Sequence, residues 1–198
     1  MPSAFTVSQL SPEIRDRMSL EQRLALLFNF YREAEMHGAR LLLNLHRHIT
    51  DGDSQIKLTR HLSDECRHAW LWTQRIDELG AAPIQVGDGY QSRLGRKVGL
   101  PRHAIDLLAL TLIAESRAIE RYQLHAKQPG VDARTLEVLK AVSADEPWHL
   151  SWVGEKMKEL APQYGGQAAV DRTIEKYRAI EREVYQSFLA DETFLMGK

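Results

Sequence analysis

Two pentapeptides in this 198-residue chain pair a glutamate with a histidine three positions on: Asp64-Glu65-Cys66-Arg67-His68 and Asp145-Glu146-Pro147-Trp148-His149. No other Glu-x-x-His sequence occurs in it. On a helix, positions i and i+3 project from one face, so each passage presents a carboxylate and an imidazole side by side, a donor pair suited to a divalent cation. A lone glutamate precedes each pair in a similar setting, Ala34-Glu35 before the first and Ala114-Glu115 before the second. The stretch from Glu35 to Glu65 is nearly as long as the stretch from Glu115 to Glu146.

If Glu35 and Glu65 face each other from neighbouring antiparallel helices, the turn must fall midway between them, near residue 50. The chain there reads Thr50-Asp51-Gly52-Asp53, a turn composition. For Glu115 and Glu146 the midpoint falls at Pro129-Gly130-Val131-Asp132. Each glutamate is then about 15 residues, or roughly 22 Å of helix, from its turn. All four carboxylates can therefore lie at one level of a bundle.

Four ionised carboxylates cannot share a dry core unaided, because desolvation and mutual repulsion would force protonation. Two divalent cations resolve the conflict by charge. Glu35, Glu65, His68, Glu115, Glu146 and His149 are thus candidate metal ligands. The donor set suits two ions of iron or manganese, or a mixed manganese–iron pair, and it lacks the thiolates that favour zinc or copper(I). Tyr31, one turn before Glu35, and Tyr122, two turns after Glu115, are candidate catalytic hydroxyls that could donate a proton or relay electrons. The alternative is a pair of core tyrosines with satisfied hydroxyls.

The apolar periodicity predicts the elements that must carry these residues. Ser11-Pro12-Glu13 can open a short helix. Ser19, with Gln22 at the capping-box position, starts a long helix to about residue 49. Its inward stripe reads Leu24, Phe28, Tyr31, Glu35, Leu42 and Ile49, while Glu33 shares a polar face with Asn29, His37 and Arg40. A second helix is predicted over residues 54–79, with Leu58, Leu62, Glu65, His68, Ala69, Trp72, Ile76 and Leu79 inward. Residues 81–100, rich in glycine, read as a long connection. Helix three follows from Pro101 to about residue 128, and helix four from the Asp132 cap to about residue 160. Pro147 predicts a kink in helix four beside its ligands, since it removes a hydrogen bond and clashes with the Ser143 carbonyl. A fifth amphipathic helix over residues 167–190 would lie against the bundle or form a partner surface. The fold class is all-α: a four-helix bundle over 19–160, with a long crossover between helices two and three and a C-terminal fifth helix, in a single domain over 1–198. The two helical pairs form an internal repeat, in which the step that carries Glu65 to Glu146 also carries His68 to His149.

Over residues 19–160 the chain resembles the ferritin-like di-iron superfamily. The first pentapeptide matches that family's Asp/Glu-Glu-x-Arg-His pattern in full, and the second matches except for Trp148 where arginine is common. The resemblance implies that Asp64 and Asp145 hold ligand histidines through the second ring nitrogen, in keeping with how outer partners orient metal ligands. The run Glu115-Ser116-Arg117-Ala118-Ile119-Glu120-Arg121-Tyr122 is similar to the Glu-x-Arg-x-x-Glu-Arg-aromatic segment of the tRNA hydroxylases that act on 2-methylthio-isopentenyl-adenosine. On that likeness Arg93, Arg96, Lys97 and Arg102 are candidate phosphate contacts, against the alternative of a solvated loop.

Bulk properties narrow the classes. The formal net charge of −1 supplies no global pull toward nucleic acid or membrane. One cysteine excludes an internal disulfide framework and a Cys-x-x-Cys ribbon. Residues 1–4 lack a basic segment leading into an apolar run, so a cytoplasmic protein without a membrane span is expected. His37, His46, His48, His61, His103 and His125 lack a partnered spacing and are read as surface or ordinary polar residues. Cys66 turns to another helix face, and most of Trp70, Trp72, Trp148 and Trp152 are packing residues, with an electron-relay role as the alternative. The function these features support is a dinuclear-metal oxidoreductase (di-iron or di-manganese, of monooxygenase or hydroxylase type). It would use dioxygen or peroxide to oxidise an organic substrate, with a modified tRNA nucleoside as the specific candidate. Iron oxidation and handling, or rubrerythrin-like peroxide reduction, are the alternatives. A separate electron-donor protein and a homodimer are the expected partners.

Overall fold

The computed structural model describes residues 5–7, 10–99 and 101–197; residues 1–4, on which the expectation about a secretory segment rests, lie outside them. Among the described residues the α-helices run in this chain order: α1 Pro12–Arg17, α2 Leu20–Leu45, α3 Gly52–Glu78, α4 Tyr90–Val98, α5 Ala104–Ala126, α6 Ala133–Ser143, α7 Glu146–Leu160 and α8 Gln167–Leu195. Helices α2, α3, α5 and the α6–α7 pair form the four-helix bundle, and α4 and α8 cover one side of it. Among the described residues no helix is long and apolar enough to cross a membrane.

Local chemistry starts the bundle helices. At α2 the capping box closes reciprocally, with Gln22 N donating to Ser19 Oγ at 3.2 Å and Ser19 N donating to Gln22 Oε1 at 2.9 Å. Asp51 accepts from Ser54 N at 2.9 Å to open α3, and Asp132 accepts from Thr135 N at 2.9 Å to open α6. Both caps also bind across the bundle. Lys156 of α7 reaches Asp51 at 2.7 Å and Arg75 of α3 reaches Asp132 at 3.0 Å. The step that relates His68 to His149 also relates Asp51 to Asp132 and Arg75 to Lys156, so the internal repeat extends to a mirrored pair of clasps.

The fourth helix is two helices. Pro147 occupies the first turn of α7, where its missing N–H costs nothing, and α6 stops at Ser143. The expected kink is therefore a break, and it falls beside Glu146 and His149.

Three further expectations change. The connection over 81–100 contains α4, whose Tyr90 and Leu94 are buried. Asn29 is buried rather than on the polar face, because the crossover lies over it: Asn29 Oδ1 accepts from Ile84 N at 2.8 Å and Asn29 Nδ2 donates to Ala25 O at 2.9 Å. The fifth helix lies against the bundle and runs to Leu195, burying Val170, Tyr177, Val184, Tyr185, Phe188 and Leu195.

The joint between α5 and α8 is ionic. Arg121 Nε donates to Glu192 Oε1 at 2.6 Å with both side chains buried, and Tyr185 Oη donates to Glu192 Oε2 at 3.0 Å. Arg117 grips Glu181 through two nitrogens at 2.7 and 3.0 Å. The two arginines of the hydroxylase-like run thus anchor the C-terminal helix. Glu192→Ala leaves a buried guanidinium without its counter-charge, and the expected loss is about 3–5 kcal/mol. Urea unfolding of the two proteins in the same metal state measures it, and a loss below about 1 kcal/mol, the size of an exposed pair, would show that the joint does not depend on this pair.

Candidate metal centre

Glu35 on α2, Glu65 and His68 on α3, Glu115 on α5, and Glu146 and His149 on α7 are all buried and meet at one level of the bundle. The apolar stripes of the same helices wall them in above and below. Donor atoms that could hold a metal ion fall into two groups, each with members within 4.8 Å of one another: Glu35, Glu65 and His68 in one, and Glu65, Glu115 and His149 with the further residue His61 in the other. Glu65 belongs to both. Glu146 lies beside the second group, with Oε2 at 3.5 Å from His149 Nδ1.

The hydrogen-bond inventory tests whether these residues fit metal ions. Glu65 Oε1, His68 Nδ1, both oxygens of Glu146 and His149 Nδ1 are buried atoms without a hydrogen-bond partner. Native interiors rarely leave such atoms unpaired, and here they converge on one place, as donors suited to metal ions would. The histidines' other nitrogens are engaged. His68 Nε2 lies 3.0 Å from Asp145 Oδ2, and His149 Nε2 lies 3.3 Å from Asp64 Oδ2. Each aspartate thus serves the histidine of the opposite half, and an Nε2–H donated to it leaves Nδ1 as the ligand lone pair. The Asp145 side chain does not cap α7, being spent on His68 and on Arg67, which also lies 3.6 Å from Asp64. Arg67 therefore offsets the charge of both orienting carboxylates.

Two residues make space and fix geometry. A Cβ added to Gly38 would sit 2.1 Å from Glu65 Oε2, so only glycine lets that carboxylate approach α2. The buried Tyr122 hydroxyl donates to Glu35 Oε1. Tyr31 does not reach the ligands; its hydroxyl lies 3.2 Å from His125 Nδ1, and its ring packs edge-on against Tyr122 with centroids 5.1 Å apart.

The histidine assignments need correction. His61, read from sequence as an ordinary polar residue, is completely buried inside the centre, with Nε2 2.9 Å from Glu115 Oε1 and 3.3 Å from Glu65 Oε1. It sits one turn before Glu65, and that spacing was the signal in the sequence. Leu62, assigned to the inner face, is only half-buried. His125 is also buried. Trp72 is packed within the core, Trp152 bonds to His61, Trp148 lies under Arg60, and Trp70 and Cys66 are exposed.

The basic residues of the crossover are not a free patch. Arg93 binds Asp88, Asp191 and the Ser187 carbonyl, Arg96 donates to Gly87 O at 3.0 Å, and Lys97 binds Glu183 at 2.6 Å. They hold α4 to α8 and to its own entry loop; Arg102 is exposed.

Electrostatics within the cluster follow from crowding. Burial, reinforced by the neighbouring Glu115 and Glu35 charges, raises the Glu65 carboxyl well above its ordinary value of 4.5. Burial and Glu115 do the same to Glu146. Burial alone would raise Glu115 too, but the hydrogen bond from His61 brings it down. Without metal, then, crowding favours the protonated forms of Glu65 and Glu146, and bound cations would favour the ionised ones.

A small cavity of about 30 Å³ touches Glu35, Glu65 and Glu115. Outside it lies a second of about 110 Å³, lined by Leu94, Gly95, Val98 and Gly99 from the α4 side and by Pro101 and Leu110 from the α5 side. His37, Leu41, Gln91 and Ala114 line both and form the partition between them.

No protein-family signature matches this chain, and no curated protein sequence does. Two solved structures do match. A Synechococcus protein described as having aldehyde deformylating oxidase activity superimposes with a TM-score of 0.71 at 20% identity, over 90% of this chain and 84% of that one. The dodecameric thioferritin of Bacteroides fragilis, a bacterioferritin-related protein, matches with a TM-score of 0.58 at 20% identity, over 75% of this chain and 92% of that one. The fold is the ferritin-like helical bundle.

Two outcomes test the centre. Because crowding favours the protonated forms of Glu65 and Glu146 in the metal-free protein, loading with Zn²⁺ in weak buffer near neutral pH should release protons. No release would mean both carboxyls were already ionised. The sign also sets stability: a folded-state pKa raised above 4.5 makes the metal-free protein lose stability as pH rises through and beyond that value, a trend that bound zinc should remove in melting curves. Separately, Gly38→Ala should displace Glu65 and lower the metal content per chain, read by elemental analysis, while the helical circular dichroism stays unchanged.

Proposed function

We propose that this chain is a dinuclear-metal oxidoreductase, with iron as its metal, that uses dioxygen or peroxide to oxidise an apolar organic substrate. The observation that carries the proposal is the convergence of unpartnered Glu65, His68, Glu146 and His149 atoms at one buried level. A pair of iron ions held there would supply redox and Lewis-acid chemistry. Glu35 and His68 would serve one ion, Glu115, Glu146 and His149 the other, with Glu65 between them.

The protein's own contribution is orientation and exclusion. Asp64 and Asp145 aim the two histidines, Tyr122 holds Glu35, and Arg67 balances the aspartates from the outer side. Glu65 lies against the helix backbone opened by Gly38, so it has a neighbour on one side and the small cavity on the other. The apolar passage walled by Leu41, Leu94, Val98 and Leu110 supports the choice of substrate class. A metal ion in transit would need acidic walls; a hydrocarbon segment needs these. A tRNA nucleoside finds no comparable support, since Arg93, Arg96 and Lys97 are engaged within the chain. Electrons would come from a separate donor protein.

The test is aerobic turnover of the iron-loaded protein with a chemical reductant and a series of linear aldehydes or alkanes of increasing length. Dioxygen uptake should rise with apolar substrate and be matched by an oxidised product. Uptake indifferent to substrate, together with iron retained far beyond two ions per chain, would overturn the proposal in favour of iron handling. Ala114→Leu, which narrows the partition between the cavities, should raise KM about tenfold or more while leaving the iron content at its wild-type value.

A further inference from the structure

A third buried imidazole, that of His61, lies among the ligands and is either a further ligand or something else. Distance favours the first answer, because Nε2 lies within 2.9 Å of Glu115 Oε1 and 3.3 Å of Glu65 Oε1. Its other nitrogen favours the second. Trp152 Nε1 donates to His61 Nδ1 at 3.0 Å. An indole N–H can only donate, so Nδ1 must be the acceptor nitrogen and the ring proton must sit on Nε2. A histidine that binds a metal through one nitrogen normally donates its other N–H to an acceptor, as His68 and His149 do toward Asp145 and Asp64. His61 has the opposite partner. To bind metal through Nε2 while accepting from Trp152, it would have to lose both ring protons.

The internal repeat separates His61 from the ligands in the same way. The step that maps Glu65 onto Glu146 and His68 onto His149 maps His61 onto Val142, and Trp152 back onto Leu71. The ligand set is repeated; the His61–Trp152 pair is not. What His61 shares is a role with Tyr122. Each lone glutamate receives one buried donor from the opposite half, Glu35 from the Tyr122 hydroxyl and Glu115 from His61 Nε2. Stacking on His149, with centroids 3.6 Å apart and planes 21° apart, keeps the imidazole in place.

We propose that His61, its tautomer set by Trp152, is a hydrogen-bond donor that positions Glu115, and is not a third imidazole ligand. One Glu115 oxygen is thereby committed to the imidazole N–H and the other left for metal. This rests on the two-metal reading only for the ligand count; the tautomer can be read without metal.

The experiment is two-bond ¹H–¹⁵N correlation spectroscopy on protein labelled at the histidine ring nitrogens, with and without Zn²⁺ as the probe. In metal-free protein His61 should carry its proton on Nε2, and a proton on Nδ1 would overturn the proposal. In zinc-loaded protein two imidazole nitrogens per chain should show metal binding, and a third belonging to His61 would overturn it. Failure to bind zinc at all would instead count against the two-metal reading, while the metal-free spectrum still decides the tautomer. Trp152→Phe keeps an aromatic ring and removes the donor; His61 should then exchange between tautomers, and an unchanged tautomer would refute the role of Trp152. His61→Gln, whose amide can donate from nearly the same place, should hold zinc within a few-fold of wild type, whereas His61→Leu should lose about tenfold or more. Equal losses in both would point to a ligand.

Discussion

Four glutamates buried at one level of an apolar bundle cannot all be charged unless positive charge joins them, and the surrounding structure is arranged around that constraint. The polar groups that flank the level either orient a ligand or offset a charge. Asp64 and Asp145 cross between the two halves to hold the histidines, and Arg67 sits between the aspartates. Tyr122 and His61 each satisfy one oxygen of a lone glutamate. The oxygens and nitrogens left over are the ones a pair of ions would take.

The internal repeat explains how such a crowded site can be positioned by a short chain. Two helical pairs with nearly equal spacing bring four carboxylates to the same height, and mirrored clasps, Asp51 with Lys156 and Asp132 with Arg75, tie each turn to the far half. Some departures from the repeat bear directly on the centre. Pro147 splits the last bundle helix so that Glu146 opens α7 rather than lying mid-helix. Counted from the lone glutamates, Tyr122 stands where the first pair has Leu42; counted from the Glu-x-x-His passages, His61 stands where the second pair has Val142. A symmetric frame thus carries an asymmetric set of hydrogen bonds, which gives the two lone glutamates different partners.

Outside the four helices, α4 and α8 form a second layer on one side. Arg93, Arg96 and Lys97 hold α4 at its polar edge, and Arg117 and Arg121 join α8 to α5. The inner edge of α4 is apolar and walls the larger cavity, which His37, Leu41, Gln91 and Ala114 separate from the small one beside the carboxylates. These cationic residues are structural because each finds an acid or a carbonyl within its own chain, which leaves the apolar wall as the feature that distinguishes this side of the molecule.

Helix period and turn spacing are local properties, so the chain alone determined the bundle, the turns at residues 46–51 and 127–132, a disturbance of the helix at Pro147 and which glutamates and histidines of the paired motifs face inward. Glu35 could be told from Glu33 because one interrupts an apolar stripe and the other does not. The helix α4 was less visible: Tyr90, Leu94 and Val98 fall one helical turn apart, but Gly87, Gly89, Gly95 and Gly99 obscure them. What only the tertiary structure decided depends on which elements pack together. Asn29 is buried because the crossover lies over it, Arg93 and Lys97 are neutralised by acids far along the chain on α8, and His61 enters the centre with Trp152, on a different helix, supplying a donor to its ring. A polar side chain's role is set by the partner it meets, and partners distant in sequence leave no mark in the spacing of either one.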